Sequence, residues 1–401
     1  MKARYQYRFY RTDQQRQRLA HVFGCVRVVW NDALAICKDA EKLPSNGDLQ
    51  KLVITQAKKT DAREWLSGVS VTPLQQSVAD LGIAYKNFFE SRNGKPKGKK
   101  VGSPRFKKKT GRQSARFTLN SFSMKGEKVY LAKIGNVKPI WSRSLPSEPS
   151  SVTVIKDCAG RYFLSFVVEV IPATIPASFA SVGIDLGVKT FAVLSTGEKV
   201  VCPNYSKLDK RLRRKQRQLV RQVKGANRRE KTRRQIAKLH NQVADTRKDF
   251  LHKLSSRVTN ENQVVALEDL NVSGLIKNRK LARAISLQGW REFRILCEAK
   301  SEKLEREFIA INRWEPTSQV CSCCGYRWGK LDLSVRSVLC LNCGAEQDRD
   351  ENAARNIEMV GMGHRHDLKR TGSECQTTSV ASCCEPSRIT VAMTPGEYVN
   401  R

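Results

Sequence analysis

Three acidic residues lie in segments where a charged side chain is unusual. Asp185 interrupts one apolar, strand-like segment, Glu268 ends another, and Asp350 begins the last helical segment. Carboxylates are rarely buried unless they are paired or bind metal. Carboxylates that converge stay ionised only when cations neutralise them, and ligation by oxygen alone suits Mg²⁺ or Mn²⁺. Because two such ions about 4 Å apart can drive phosphodiester hydrolysis, the three residues predict a metal-dependent nuclease site.

Acidity alone does not single out these three residues. Asp269 follows Glu268, and Asp348 and Glu351 flank Asp350. A lone aspartate near a strand end also caps or turns the chain more often than it catalyses. The combination is more specific, because in an RNase H-like fold the first and fourth strands are neighbours and the C-terminal helix crosses them. In that fold the three side chains would converge.

Four of the 13 cysteines have the spacing of metal ligands. Cys321 and Cys324 form one C-x₂-C pair, and Cys340 and Cys343 form a second after a gap of fifteen residues. This is zinc-ribbon spacing, in which two tight turns supply four thiolates to a structural Zn²⁺. Disulfides are the alternative, but the N-terminus lacks an export signal and most other cysteines are scattered. Cys323 is then a spare thiol.

The composition indicates a nucleic-acid partner. The chain has 73 Lys and Arg against 38 Asp and Glu, a formal net charge of +35, and such a surplus attracts polyphosphates. Residues 207–238 hold fifteen basic and two acidic residues, which predicts a basic helical hairpin. A solvated pair of charged helices is the alternative, but the net excess favours a polyanion along it. The candidate contacts are Arg213, Arg214, Arg217 and Arg221 in the hairpin, and Arg105 and Lys107 in the basic loop 92–112.

The elements that would position these residues predict a multidomain chain of α/β and α+β class. Residues 1–10 alternate like a strand, and we expect them to close a small β-barrel with later strands. A segment with two prolines at 171–176 marks a domain boundary. The predicted division is a barrel domain at 1–10 and 100–172, a helical insert at 11–99, a nuclease domain at 180–315 and 345–361, a zinc ribbon at 316–344, and a disordered tail at 362–401.

Membrane association is not expected. No apolar run approaches the roughly 18 residues that span a bilayer. The N-terminus is charged from its second residue and alternates as a strand does, unlike a signal peptide. We therefore expect a cytoplasmic protein, nucleoid-associated in a prokaryotic host.

Further motifs follow one another along residues 1–360. Moderately specific ones are Tyr7-Arg8-Phe9-Tyr10, Phe23-Gly24-Cys25-Val26-Arg27 with Trp30-Asn31, Leu74-Gln75-Gln76 with Phe88-Phe89, and Pro104-Arg105-Phe106-Lys107. More specific ones are Gly183-Ile184-Asp185-Leu186-Gly187-Val188, Glu268-Asp269-Leu270-Asn271-Val272, Thr317-Ser318, and Asp348-Arg349-Asp350-Glu351-Asn352-Ala353-Ala354-Arg355-Asn356-Ile357. Together they resemble the TnpB family, also called the OrfB family of insertion-sequence proteins. The resemblance places a RuvC-like nuclease triad on Asp185, Glu268 and Asp350, which resolves the choice left open above.

The resemblance implies a β-barrel wedge domain with a helical recognition insert, then a RuvC-like nuclease domain with a zinc-binding target-nucleic-acid module. It implies a guide RNA from the transposon end, a double-stranded DNA target beside a short motif, and a monomer acting with its RNA. Base pairing would then supply sequence, while the protein holds the heteroduplex by its backbone and reads the adjacent motif. Gln75 and Gln76 could pair with adenine, or equally be ordinary surface residues.

Three other functions are weighed against this one. A compact type V CRISPR effector would share the triad and zinc module and differ in the source of its guide. A nuclease-inactive RNA-guided regulator would have lost a carboxylate, and here the triad is intact, although Gln347 stands where many relatives have histidine. A transposase would need a Tyr- or His-based strand-transfer site, and Tyr205 and His252 lie in basic sequence without one.

Overall fold

The computed structural model describes residues 1–95, 100–172, 176, 178–332 and 334–363. The chain divides into two compact units, the first comprising residues 1–171 and 211–241, and the second comprising 172–210 and the chain from 242 onward. The predicted disordered tail lies outside the described residues from 364 onward.

The first unit contains a long strand, a helical segment and a run of shorter strands. Its strands are β1 (Lys2–Phe9), β2 (Gln113–Thr118), β3 (Phe122–Lys125), β4 (Lys128–Leu131), β5 (Gly135–Val137), β6 (Ser151–Lys156) and β7 (Tyr162–Glu169). Its helices are α1 (Asp13–Asp39), α2 (Asn46–Gln50) and α3 (Val71–Arg92), with short π and 3₁₀ turns at Lys51–Gln56, Ala57–Lys59 and Glu64–Gly68.

Local sequence explains why β1 gives way to α1. Tyr7 and Phe9 alternate into the core along β1, as expected for a half-buried strand. The Thr12 hydroxyl oxygen then accepts a hydrogen bond from the Gln15 backbone N–H, and Gln15 Oε1 accepts one from the Thr12 backbone N–H, which forms a capping box. Helix α1 therefore begins at a residue pair that satisfies its first free amides.

The predicted closed barrel is wrong. Strands β1, β7, β6 and β2 form a four-stranded antiparallel sheet in that order, and β3, β4 and β5 form a separate three-stranded sheet. Among the described residues, no ladder joins the edge strands β1 and β2. Strands β3 to β5 are only three or four residues long and pair locally, so they cannot supply the ladder that closure requires. The coarser prediction, a mixed α/β multidomain chain, is confirmed.

Helix α1 is the one described helix long and apolar enough to cross a membrane, judged by length and composition alone. Its apolar face is occupied within the first unit, because Leu19, Val22, Val29 and Leu34 are almost fully buried in the same core as the β-sheet. A core helix of a folded domain meets the same criteria, and this packing explains its apolar composition.

The second unit contains a mixed sheet with helices and a cysteine-bearing segment. Its strands are β8 (Ser181–Leu186), β9 (Ala192–Leu194), β10 (Lys199–Val200), β11 (Val264–Glu268), β12 (Glu307–Ile311), β13 (Ser337–Leu339) and β14 (Glu346–Asp348). The remaining helices are α4 (Ser206–Val220), α5 (Asn227–Glu261), α6 (Val272–Leu275), α7 (Ala282–Gln288), α8 (Trp290–Lys303) and α9 (Arg349–Gly361). Of α4 and α5, residues 211–241 belong to the first unit.

The main sheet of the second unit has the strand order β10-β9-β8-β11-β12. Strands β8, β11 and β12 are parallel, whereas β9 and β10 pair antiparallel. One face of this sheet packs on a core that includes Phe191, Phe293 and Trp290. On α9, Ile357 packs with Ala266 and Ile311. The sheet is therefore covered by helices, as parallel strands require.

Candidate active site

Asp185 and Glu268 lie side by side at one edge of the main sheet. Strands β8 and β11 are parallel neighbours, and their register pairs Ile184 with Leu267. Asp185 and Glu268 are the next residues on each strand, so both stand at the carboxyl ends. Binding residues commonly collect at this edge of a parallel sheet.

Helix α9 brings Asp350 to the same place. It passes so close to β8 that a Cβ added to Gly183 would lie well inside van der Waals contact with the Ala354 carbonyl and the Glu358 backbone nitrogen. Farther along, a Cβ on Gly361 would lie 2.6 Å from the Cβ of Ala266. The missing side chains at these glycines let the helix lie against the strands.

Hydrogen bonding distinguishes Asp350 from its acidic neighbour Asp348. The Asp348 side chain is the N-cap of α9, accepting from the backbone nitrogens of Asp350 at 3.0 Å and Glu351 at 3.1 Å. It also accepts from Lys199 Nζ at 2.7 Å. Asp348 therefore has a structural role at the start of the helix. Burial acts to raise the pKa of Asp348, but the bonds from Lys199 and from the backbone of α9 outweigh it, and the pKa is lowered.

Asp269 is separated from Glu268 in a similar way. The Asp269 carboxylate pairs with the guanidinium groups of Arg294 and Arg313, and these hydrogen bonds lower its pKa. Glu268 has no arginine partner among the salt bridges of the described residues, and its Oε1 accepts a hydrogen bond from the Thr317 hydroxyl at 2.6 Å. Burial raises the pKa of Glu268, and the bond from Thr317 partly opposes that rise.

Asp185 is buried, and it lies close enough to Glu268 and Asp350 for their charges to affect its pKa. Burial, followed by repulsion from Glu268 and then from Asp350, raises the pKa of Asp185 to about 7, against a lowering effect of Arg349. A carboxyl group with this environment is one whose charge is unfavourable until a cation is added. The donor set, three carboxylates at a sheet edge, fits a hard divalent cation.

The carboxylates are not gathered into a tight ligand shell. Arg336 Nη1 lies 3.1 Å from Asp350 Oδ2 and 3.3 Å from Oδ1. Within the part of the chain that the structure describes, the group of at least three ligand atoms lying within 4.8 Å of one another is a different one, the four cysteines.

Cys321, Cys324, Cys340 and Cys343 form that four-cysteine cluster. The Cys321 and Cys343 sulfurs are 3.8 Å apart, and those of Cys324 and Cys340 are 3.5 Å apart. Four sulfurs about 2.3 Å from a tetrahedral zinc ion would be about 3.8 Å from one another. The geometry therefore fits a structural Zn²⁺ with all four positions filled by thiolate.

Backbone turns place each cysteine pair. Gly325 N donates to the Cys321 carbonyl at 2.9 Å, and Gly344 N donates to the Cys340 carbonyl at 2.9 Å. Both glycines have φ in the left-handed region, +74° and +70°, which glycine adopts without steric cost. The two knuckles are thus alike in sequence and in backbone geometry.

Gln347 contacts the cysteine cluster from β14. Its Nε2 donates to Cys321 Sγ at 3.1 Å and to Cys323 Sγ at 3.4 Å, while its Oε1 accepts from Ser322 Oγ at 2.7 Å. The exposed Cys323 stays outside the four-sulfur group, as predicted for a spare thiol. Gln347 therefore contacts the cysteine cluster through its side-chain amide.

Sequence reasoning missed two asparagines on α9. Asn352 and Asn356 are 1% and 4% exposed, and their amide groups hydrogen-bond to the backbone of the segment that leads into the cysteines. The available signal was their spacing of four residues on a helix, which places both on the same face.

The candidate base readers lie near the start of α3. Gln75 is exposed and Gln76 is half-buried, while Leu74 and Val78 of the same helix are fully buried. Base reading by either glutamine remains a prediction.

Arg105 and Lys107 lie in a loop that is fastened to α1. Trp30 Nε1 donates to the Arg105 carbonyl at 3.1 Å, and the Asn31 amide exchanges hydrogen bonds with the Lys107 backbone at 2.8 and 3.2 Å. The Lys107 ammonium sits 3.6 Å from the centre of the Trp30 ring, and burial lowers the pKa of Lys107 to about 8. Arg105 is exposed, whereas Lys107 already has an aromatic partner.

The predicted basic hairpin is present as α4 and α5. Arg213, Arg214, Arg217 and Arg221 are all exposed, along α4 and just beyond its end. Arg229 holds the turn between the helices by donating to the Leu219 and Gln222 carbonyls at 2.6 and 2.7 Å. The surface that these arginines form is rich in cations and suited to a phosphate backbone.

Comparison with known proteins identifies the family of this chain. Residues 165–279 match the OrfB_IS605 family model, described as "Probable transposase", and residues 290–357 match a "Cas12f1-like, TNB domain". A protein of Streptomyces pristinaespiralis named "Putative RNA-guided DNA endonuclease" is 42% identical over 98% of both chains. This chain belongs to the TnpB (OrfB) family. A second relative, a protein of Escherichia coli K12 named "Putative RNA-guided DNA endonuclease InsQ", is 31% identical over 87% of this chain and 89% of its own.

Two further matches are of another kind. Residues 1–42 match a family model described as a helix-turn-helix domain, although in this structure those residues form β1 and the single long helix α1. A Cas12f1 structure determined with sgRNA and target DNA aligns over 86% of this chain and 81% of its own, with 15% identity and a TM-score of 0.49.

Proposed function

We propose that this TnpB-family chain is an RNA-guided DNA endonuclease that hydrolyses phosphodiester bonds of a DNA target with divalent metal. The proposal is supported by the position of Asp185 and Glu268 at the carboxyl ends of adjacent parallel strands, with α9, whose first turn holds Asp350, packed against β8. A family whose members are named RNA-guided DNA endonucleases fits that chemistry.

The three carboxylates would hold the catalytic Mg²⁺ or Mn²⁺. When bound, such ions activate an attacking water and stabilise the leaving oxygen of the phosphodiester. Asp185 and Glu268 are fixed by adjacent parallel strands, whereas Asp350 is carried by α9. We assign an RNase H-like, RuvC-type arrangement to the sheet β10-β9-β8-β11-β12 with α9 across it.

The four-cysteine cluster would hold structural Zn²⁺ in a ribbon-like module. Four thiolates leave no open position, so this metal would stabilise the fold and take no part in hydrolysis. Its segment, residues 316–344, lies between β12 and β14, within the region that matches the TNB-domain model.

Guide RNA and target DNA are the proposed partners. The exposed arginines of α4, the basic loop around Arg105 and the net charge of +35 suit a backbone held by charge, with sequence read by base pairing. In this assignment residues 11–99 form the recognition insert and the sheets of the first unit form the wedge domain. We place the protein in the cytoplasm, as a monomer bound to its RNA.

Two alternatives make different predictions. A compact type V CRISPR effector would carry RNA from a repeat array, and the family membership favours RNA from a transposon end. A nuclease-inactive regulator would bind a target without cutting it, and the intact carboxylate triad favours cutting.

The test is to purify the chain with co-expressed RNA, sequence that RNA, and incubate the complex with a matched target flanked by randomised sequence. We expect cleavage that requires Mg²⁺ and a particular flanking motif, and loss of cleavage in Asp350→Ala. Asp348→Ala is the matched control, because it removes the helix cap and should cost about 1 kcal/mol of stability with cleavage retained. Target binding without cleavage by the wild-type complex would instead establish the regulator.

A further inference from the structure

Thr317 lies between the four-cysteine cluster and Glu268. Its hydroxyl donates to Glu268 Oε1 at 2.6 Å, and the residue is only 7% exposed. It lies on a short 3₁₀ turn, Thr317–Gln319, that leads directly into Cys321. One side chain therefore connects a carboxylate of the site to the segment that enters the cysteine module.

Two asparagines of α9 hold this segment in place. Asn356 Nδ2 donates to the carbonyls of Thr317 and Val320, each at 2.7 Å. Asn352 Nδ2 donates to the Val320 carbonyl at 2.8 Å, and its Oδ1 accepts from the backbone nitrogen of Ser322 at 2.7 Å. The three bonds to the Thr317 and Val320 carbonyls are buried, so these groups would otherwise lie without a partner away from water.

Hydrogen bonds and short backbone segments connect Cys321 of the four-cysteine cluster to the carboxylate of Glu268. Ser322 directly follows Cys321, and its amide is fixed by Asn352. The same asparagine pair fixes the Thr317 carbonyl, and the Thr317 hydroxyl fixes Glu268. Asp350 lies at the start of the same helix that carries both asparagines.

We infer that Thr317 is a positioning residue for Glu268. Asn352 and Asn356 fix Thr317 relative to the cysteine cluster by binding the backbone of the segment between them. The inference rests on the proposed nuclease function and adds a residue to its site. The bond to Oε1 fixes the carboxylate orientation and leaves Oε2 available to a cation. The folded structure of the cysteine module thereby determines the orientation of the Glu268 carboxylate and its affinity for the divalent metal.

A positioning role predicts a defect in metal affinity. Thr317→Val keeps the side-chain shape and removes the only group that donates to Oε1 in the described structure. A hydrogen bond to a charged group is worth about 10-fold or more in an equilibrium constant. Thr317→Ser restores the hydroxyl and should restore the affinity.

Thr259→Val is the matched control for loss of a buried hydroxyl. Thr259 is 0% exposed, and its hydroxyl donates to the Ser255 carbonyl within α5 at 2.8 Å. It contacts none of the three carboxylates in the hydrogen bonds of the described residues. Its substitution should lower the melting temperature without changing metal affinity.

The experiment uses the complex with its co-expressed RNA and reads two quantities. Binding of Mn²⁺ is followed by loss of the free-ion electron paramagnetic resonance signal, with Asp185→Ala as the blank for Mn²⁺ held elsewhere. Single-turnover cleavage of the matched target is followed against Mg²⁺ concentration. We expect Thr317→Val to raise both half-saturating concentrations by about 10-fold, with target affinity and zinc content unchanged. Thr317→Ser and Thr259→Val should remain within about twofold of wild type.

Unchanged Mn²⁺ and Mg²⁺ half-saturation in folded Thr317→Val would overturn the inference, as would an equal shift in Thr259→Val. Asn352→Ala tests the link between Thr317 and the cysteine cluster, and it should raise the half-saturating Mn²⁺ and Mg²⁺ concentrations by a smaller factor. Unchanged concentrations in this variant would show that the cluster does not influence Glu268. Failure of the wild-type complex to cleave at any Mg²⁺ concentration would contradict the proposed function instead, and the Mn²⁺ measurement would still report on Thr317.

Discussion

Gly183 lies where α9 crosses β8, and replacing it with alanine should displace Asp350. The added Cβ would lie far inside contact with the Ala354 carbonyl and Glu358 nitrogen, and 2.8 Å from the Glu358 Cβ. Two of these neighbours are backbone atoms, so no side-chain rotation can relieve the overlap. Helix α9 must move by about 1 Å, and a displacement of that size can lower a rate by about 100-fold.

The Gly183→Ala variant should also lose about 1–3 kcal/mol of stability through overpacking. The assays are thermal unfolding and single-turnover cleavage of the matched target at saturating Mg²⁺. Gly24→Ala is the control, because no atom lies within 4 Å of its added Cβ and alanine in a helix interior should stabilise by about 0.5–1 kcal/mol. If Gly183→Ala cleaved within threefold of the wild-type rate, the close approach of α9 would not be what places Asp350.

The remaining predictions concern metal and nucleic acid. Asp185→Ala should abolish cleavage while guide and target binding persist, because binding rests on Lys and Arg; gel-shift and cleavage assays on one sample decide this, and loss of binding would contradict it. Cys321→Ser should reduce bound zinc and lower the melting temperature, measured by metal analysis and calorimetry against Cys158→Ser, and unchanged zinc stoichiometry would exclude the four-cysteine site. Arg214→Ala with Arg217→Ala should weaken guide RNA binding and lower its salt slope by about one per lost phosphate contact, and an unaltered slope would show that α4 does not bind the backbone.

The features with strong local signals could be predicted from the sequence. The cysteine spacing led to four residues that the structure brings together. The alternating and continuous apolar runs led to strands β1, β8 and β11, because both patterns are visible within a short segment.

Features that depend on distant parts of the chain could not be predicted in the same way. Strand periodicity gives no information about which edges pair, so the barrel was expected where two sheets form. The path from Asn352 to Thr317 depends on α9 lying against a loop some thirty-five residues earlier in the chain. Lys107 was predicted as a phosphate contact from its basic neighbours, and its stacking on Trp30 depends on packing between a loop and α1.

The choice of Glu268 over Asp269 tests the central claim most directly, because these adjacent carboxylates have opposite surroundings. The measurement is single-turnover cleavage of a guide-matched duplex in Mg²⁺ by Glu268→Gln and by Asp269→Asn, with target binding measured in parallel. The account predicts that Glu268→Gln binds the target and fails to cut it, while Asp269→Asn, which loses only ion pairs with Arg294 and Arg313, still cuts. Cleavage by Glu268→Gln at the wild-type rate would contradict the assignment of the site.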